Sequence, residues 1–433
     1  MSIRSSSYVP RKNKIQWKWV LVVFVVVMLV FTGLDFALKY EKKEKINYYG
    51  VCGLNDEKTR ELIQFDSSQE GIEINDYLFY GETLNLFQNE YVMNQKDPLQ
   101  GKTVMLTDLC TQDDFMYILE SNIDGQIPVE DLEPGFYSIS VVKDTKNYMI
   151  FSNEKINEVF YTVTRNGINK KIELKADSSM LNNPEDESDY LDRNYFFIEV
   201  SEEKAPSSIV DIVLDPGHFS YDNGNYLEVG AKVDDRTEAQ ETYDFALLLK
   251  DELEKLGLSV LITRKSDTDI VNSYGLQGRL YQGYQAQAKY YLDIQMMSAS
   301  KTSLRGTQVI YSSFSSDRFA STVYNTILDG TSLVSTGNGK NPGILAGGRL
   351  NGYDGRMMIR ESGGRILSAG TFSEKAESEN GSFAKESRFG MLALTIEYAY
   401  MSNEEDMEVW DNEKQQIALK TAEGIARYLG IDK

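Results

Sequence analysis

The stretch IVDIVLDPGH, residues 209–218, decides the fold. Its opening positions are apolar except Asp211, as in a strand buried on both faces, and Pro216-Gly217 ends the strand and delivers His218 at its carboxyl end. No other histidine occurs in the 433 residues. Downstream, TEAQETYDFALLLKDELEKLG (237–257) sets Phe245, Leu248, Leu249, Leu253 and Leu256 at helical spacing and stops at Gly257. LSVLITR (258–264), YYLDI (290–294), TQVIY (307–311) and LALTIE (392–397) read as further strands. EKQQIALKTAEGIARYL (413–429) reads as a closing helix with Ile417, Ala418, Ala422, Ile425 and Leu429 on one face. Strands alternating with helices of this size predict an α/β domain with a mostly parallel sheet flanked by helices. Functional groups in such sheets gather at the carboxyl ends of the strands. His218, Gln295 and Glu397 fall at three such ends, and Glu238 opens the first long helix. A histidine and a glutamate at one sheet edge suit a metal, and a second glutamate suits a general base for hydrolysis.

Upstream, residues 46–176 read as β. DYLFYGETLNLF, KTVMLTDLC, FYSISVV, YMIFS and VFYTVTR carry Tyr, Phe, Val, Ile and Thr in rough alternation with turn residues between them. A small all-β accessory domain of prealbumin-like or immunoglobulin-like type is expected, a spacer or binding module whose tyrosines fill a core or stack on sugar. Residues 177–194 are acidic and polar and read as a linker. YFFIEVS (195–201) reads as an edge strand of the C-terminal domain, which then spans 195–433.

The N-terminus has its own logic. WVLVVFVVVMLVFTGL (19–34), extended to residue 38, approaches the roughly 20 apolar residues that cross a bilayer. Arg4, Arg11, Lys12, Lys14 and Lys18 precede it and assign residues 1–18 to the cytoplasm. The reading is a retained single-pass anchor in the cell membrane with the bulk of the chain outside; a cleavable signal peptide and a buried soluble helix are the competing readings. In an extracytoplasmic setting Cys52 and Cys110 are either one disulfide or two thiols. With 45 Lys+Arg against 66 Asp+Glu, a net charge of -21 excludes nucleic acid as a partner, since phosphate binding needs a basic surface.

LDPGH (214–218), a glutamate some twenty residues later, LITRKSD (261–267) with Arg264, a strand ending in a polar triplet and TIEYAYMSN (395–403) together resemble the zinc-dependent N-acetylmuramoyl-L-alanine amidases of the amidase-3 type over about residues 209–431. The resemblance implies two zinc-binding histidines, a zinc-binding glutamate and a late glutamate as base for hydrolysis of the muramoyl–L-alanine amide of peptidoglycan. Carried onto this chain, the metal positions are His218 and Glu238, and the catalytic base is Glu397. Glu238 is taken over Glu241 because it lies eight residues before Ala246, as the family's spacing requires. The third ligand departs from the pattern: the family's Ser-Ile-His-Ala-Asn aligns with Asp293, Ile294, Gln295, Met296 and Met297, so Gln295 replaces the second histidine. Phe219 and Ser220 replace its usual glycines.

A neutral amide is a poor zinc donor, so zinc is expected to be weak or absent, with Asp293, on the same side of the strand as Gln295, the one substitute carboxylate. Arg264 and Arg279 are available to pair with a strand-end glutamate. The glycine-rich loop 333–390 is expected to shape a groove. Two functions follow: a membrane-anchored peptidoglycan amidase, or a metal-poor pseudo-amidase that binds peptidoglycan or a partner without hydrolysis. A purely structural role, with an envelope protein on the β domain, is the third.

Overall fold

The computed structural model describes residues 52, 71–87, 99, 101–119, 127–177, 179, 193–221, 224–273, 277–311, 317–337, 343–346 and 389–431. The chain divides into two compact units, Met1–Asn47 and Tyr48–Lys433, and every described residue belongs to the second. The expected anchor at 19–38, its basic tail, and most of the linker 177–194 and loop 333–390 lie outside the described residues. Among those described, no helix is long and apolar enough to cross a membrane.

Six strands build the C-terminal sheet: β1 Ile212–Pro216, β2 Val260–Ile262, β3 Tyr290–Met297, β4 Gln308–Tyr311, β5 Ile344–Ala346 and β6 Leu392–Tyr400. Their order is β2-β1-β3-β6-β4-β5, and every pairing is parallel except β4 with β6. Among the described residues four helices accompany them: α1 Glu238–Lys255, α2 Arg279–Gln285, α3 Arg318–Gly330 and α4 Glu404–Leu429. The strands are apolar at nearly every position because both faces are covered. Ile212 and Leu214 of β1, Leu292 and Ile294 of β3, and Leu394 and Ile396 of β6 face α1, α3 and α4. The intervening Val213, Tyr291 and Ala393 face Leu280 and Tyr284 of α2.

Helix α4 begins earlier than its apolar pattern. Asn403 caps it by accepting the Asp406 N–H at 2.9 Å, and Glu404, Glu405 and Asp406 crowd the first turn, where carboxylates are favoured. Periodicity finds the buried face of a helix, whereas capping sets its start.

Residues 72–203 form two sheets around a shared core. The larger has eight strands, among them Gly135–Lys143, Lys146–Ser152, Ile156–Tyr161, Asn169–Ala176 and Asn194–Glu203. The smaller joins Asp76–Tyr80, Thr83–Phe87 and Ile127–Pro128 to Phe389–Gly390, which comes from just before β6. Phe79 and Leu84 of the second sheet pack with Ile139 and Phe160 of the first. Here the sequence expectation for residues 195–201 is corrected. They run within Asn194–Glu203, antiparallel to Asn169–Ala176 and to Gly135–Lys143, and so belong to the larger N-terminal sheet. A short Phe- and Ile-rich run suits either sheet; its pairing partners, not its composition, decide. Cys52 and Cys110 are joined by a disulfide.

A polar seam joins these sheets to the C-terminal layer. Glu82 accepts the Val163 N–H at 2.6 Å and the Tyr290 hydroxyl at 3.3 Å, and Asp211, just before β1, accepts the Thr164 N–H at 2.8 Å.

Candidate active site and its missing ligand

Strand β1 ends in Pro216, and the turn beyond it uses two consecutive residues in the left-handed region, His218 with φ 67° and Phe219 with φ 60°. A phenylalanine is costly there, by about 1–2 kcal/mol, because its Cβ crowds the following carbonyl. Part of the compensation is local: the Phe219 N–H donates to Glu228 O at 2.7 Å, and its ring lies 5.5 Å from the Arg264 guanidinium carbon. The bridge between Ser220 and Glu228 folds the next loop back onto the turn.

That fold-back places a residue with no motif around it. The Glu228 carboxylate meets His218 Nδ1 at 2.7 Å, while His218 Nε2 lies 3.0 Å from Glu238 Oε2. Glu238 is itself fixed by two backbone donors, Met296 N–H to Oε1 at 2.7 Å and Ala231 N–H to Oε2 at 3.0 Å. Gly230, with φ 72°, passes so close that an added Cβ would sit 2.6–2.7 Å from His218 and Glu238 atoms. Burial alone would lower the His218 pKa, but the hydrogen bonds to Glu228 and Glu238 outweigh it and raise the pKa to about 10. Both ring nitrogens thus face carboxylates, and the Glu228 carboxyl, despite its burial, is held below its usual range by its hydrogen bond to His218.

Glu241, one turn further along α1, is engaged elsewhere. It accepts from Arg236 Nε, Trp410 Nε1 and Lys414 Nζ at 2.8, 2.9 and 2.8 Å, and these bonds hold its pKa at about 2 against the opposing effect of burial.

Strand register sets the rest of the site. Asp215, Asp293 and Thr395 are aligned across β1, β3 and β6; one row further on, Gln295 and Glu397 are partners, and Glu397 is flanked on its other side by Gln308. Gln308 donates through its amide to Glu397 and accepts from the Thr336 hydroxyl at 3.2 Å. The Gln295 amide NH2 donates to Asp293 Oδ1 at 2.7 Å and lies against Gly217, where a Cβ would meet it at 2.4 Å. Asp293 also accepts from the Thr395 hydroxyl at 2.7 Å, and burial together with the neighbouring Asp215 carboxylate raises its pKa to about 6. Arg279 donates to the carbonyls of Pro216 and His218 at 3.2 and 3.0 Å, and Arg264 to that of Ala239 at 2.5 Å. These arginines hold the backbone of the β1 turn and the start of α1. Burial, with Arg279 nearby, lowers the Arg264 pKa to about 10.

The donor set does not fit zinc. A catalytic zinc takes three protein ligands and keeps an open position. His218 and Glu238 face each other as two ligands would, and Glu228 on the other ring nitrogen is the kind of carboxylate that orients a ligating imidazole, but the third position implied by the resemblance carries an amide hydrogen-bonded to Asp293. Among the described residues, no three His, Cys, Asp or Glu side chains converge as a metal site.

A largely parallel α/β sheet thus brings a histidine and a helix-opening glutamate to the carboxyl end of β1, and a second glutamate to the end of β6. Residues 212–427 match the Amidase_3 family, described as N-acetylmuramoyl-L-alanine amidase, and this chain carries a domain of that family. Similar solved structures include the catalytic domain of CwlV, an N-acetylmuramoyl-L-alanine amidase from Bacillus (Paenibacillus) polymyxa var. colistinus, at 22% identity over 52% of this chain and 100% of that one, TM-score 0.35. The amidase AmiC2 of Nostoc punctiforme is 21% identical over 52% of this chain and 99% of its own, TM-score 0.35. The CwlD amidase from Clostridioides difficile, in complex with the GerS lipoprotein, is 16% identical over 52% and 100%, TM-score 0.35. No curated protein matches the chain.

Proposed function

We propose that this protein is a membrane-tethered pseudo-amidase that engages peptidoglycan through an amidase domain without hydrolysing it. One observation carries the reading: Gln295, which the resemblance places at the third ligand position, is a neutral amide hydrogen-bonded to Asp293. A neutral amide is a poor zinc donor, and with zinc goes the activated water that the reaction requires. What the chain's own residues still do is structural. The clamp fixes the β1 turn to α1, and the Gln308 amide on Glu397 occupies the carboxylate that would serve as base. The run at 19–38 with its basic flank supports the tether, and the sheets over residues 72–203 supply a spacer.

The full-length protein, purified in detergent, is assayed for zinc, for binding to cell-wall sacculi and for release of stem peptide. Expected are less than about one zinc per ten chains at neutral pH, retention on sacculi and no release. Stoichiometric zinc, with release that disappears in Glu397→Ala, would overturn the reading in favour of an active amidase. Gln295→His supplies the missing imidazole and is expected to raise zinc content well above wild type, measured by elemental analysis.

A further inference from the structure

Strand Asp114–Ile118 ends the larger N-terminal sheet, and among the described residues it pairs with Thr103–Asp108 alone. Its sequence, DFMYI, alternates as a half-buried strand does. Phe115 and Tyr117 pack against the core. Met116 and Ile118 point the other way and are 67% and 77% exposed, the two most exposed large aliphatic side chains among the described residues. Met105, half-buried on the neighbouring strand, is the register partner of Met116 and continues the apolar row.

The backbone is open along the same edge. The Leu119 N–H donates to Lys102 O at 3.0 Å and the Asp108 N–H to Asp113 O at 2.9 Å, so the odd-numbered residues here bond inward. By the alternation of an antiparallel pair, Asp114, Met116 and Ile118 aim their N–H and C=O groups at the outer edge, where no described strand lies. Soluble proteins blunt such an edge with lysine, proline or a bulge. This strand carries none of these and presents methionine and isoleucine.

The strand fits a copy of itself. In an antiparallel pair about a two-fold axis at Met116, Met116 faces its copy, and Asp114 of each chain faces Ile118 of the other. The three outward-aimed residues of each strand then exchange N–H and C=O bonds with no like charges opposed. The net charge of -21 opposes association in general, but the two Asp114 carboxylates stand at opposite ends of this pairing, about 14 Å apart against a Debye length of about 8 Å. The course of the chain favours a second copy over an unrelated strand. Cys110, four residues before the strand, is bridged to Cys52, which follows the apolar run 19–38 by 14 residues. A tether confines copies to one surface and raises their effective concentration, which lets an interface below about 1,200 Å² hold.

We infer that the outer edge of Asp114–Ile118 is a self-association surface, on which a second copy of this chain pairs its own Asp114–Ile118 antiparallel about Met116. The inference rests on the tether in the proposed function. Both native cysteines are bridged, so one added cysteine reports alone. Full-length Met116→Cys in proteoliposomes is oxidised with copper phenanthroline and the dimer read on a non-reducing gel, with flotation measured in parallel. The control is Ile168→Cys, exposed in the turn at the sheet's far edge. Expected is at least about tenfold more dimer than in the control, an about tenfold drop when Ile118→Lys is added, and little change with Ile118→Val. Ile118 is exposed, and unchanged far-ultraviolet circular dichroism checks that its variants fold. Dimer no greater than in the control, or undiminished by Ile118→Lys, overturns the pairing. So does an adduct of Met116→Cys in membranes of the producing cells at another mass, with none at twice that of the chain, which gives the edge to a different protein. A fluorophore on Met116→Cys that shifts to the blue on lipid without dimer overturns it in favour of the bilayer surface. Failure to float with the liposomes sinks the tether, and the dimer fraction of the same sample still decides the pairing.

Discussion

His218 is the residue on which the chemistry turns, and its solitude makes it measurable: one histidine gives one imidazole signal by nuclear magnetic resonance. Its titration midpoint in the metal-free protein is expected at about 10, and Glu228→Gln should bring it down towards the ordinary imidazole value of about 6.5. A wild-type midpoint near the ordinary value would mean that the clamp does not form. Because the folded-state pKa is raised, the clamp's stabilisation is fully present below about pH 6.5 and is lost as the pH rises through about 10. Urea midpoints of wild type and Glu228→Gln should therefore differ most at pH 6 and converge towards pH 10 and above. Glu228 itself was not legible in the sequence, since no motif spacing marks it; an antiparallel bridge in the loop brings it to the ring.

At the scale of elements, α1 is bound to α4 through Glu241. This carboxylate gathers Arg236, Trp410 and Lys414, and Arg236 reaches on to Asp411 with two bonds of 2.8 Å. Glu241→Ala leaves the Trp410 N–H and the Lys414 ammonium without this acceptor. The expected cost is roughly 2–4 kcal/mol, towards the lower end because Arg236 is about a third exposed and water replaces part of the loss. Chemical denaturation checks it; a change below about 0.5 kcal/mol would place the pair among ordinary surface ion pairs. Its pH dependence runs opposite to that of His218. With a depressed pKa, Glu241 contributes fully above about pH 4.5, and the contribution is lost as the pH falls through about 2. The helical spacing at 237–257 already marked α1 and the family's spacing to Ala246 singled out Glu238, but only the packing shows that Glu241, in the same first turn, faces α4.

For the molecule as a whole, the Cys52–Cys110 bridge and the seam at Glu82 govern how the N-terminal sheets are held. The two cysteines are 58 residues apart, so chain entropy predicts a loss of about 4 kcal/mol when Cys110→Ser opens the loop. A denaturation midpoint unchanged between the wild type and this variant, or between oxidised and reduced protein, would contradict it. At the seam, Glu82 is buried, and burial raises its pKa, while it accepts from Val163 and Tyr290. Lys289, from the same segment as Tyr290, has its pKa lowered to about 8 by burial. These contacts come from residues some 80 and 208 positions away from Glu82, distances at which no local pattern speaks.

Five strands of the central sheet, its first and last described helices, the dry runs of its strands and the chemical type at their ends were written in the sequence, because burial on two faces demands apolar runs and each element's period is local, whereas Ile344–Ala346 and the helices Arg279–Gln285 and Arg318–Gly330 were not. That Gln295 stands where the resemblance places a second histidine was legible there too. Tertiary structure alone decided that residues 195–201 join the N-terminal sheet, that Cys52 and Cys110 are bridged and that Glu228 clamps His218. It also set the Gln295 amide onto Asp293. Each of these is a choice among partners distant in the chain, and partner choice follows from the packing of the whole molecule, which no single segment encodes.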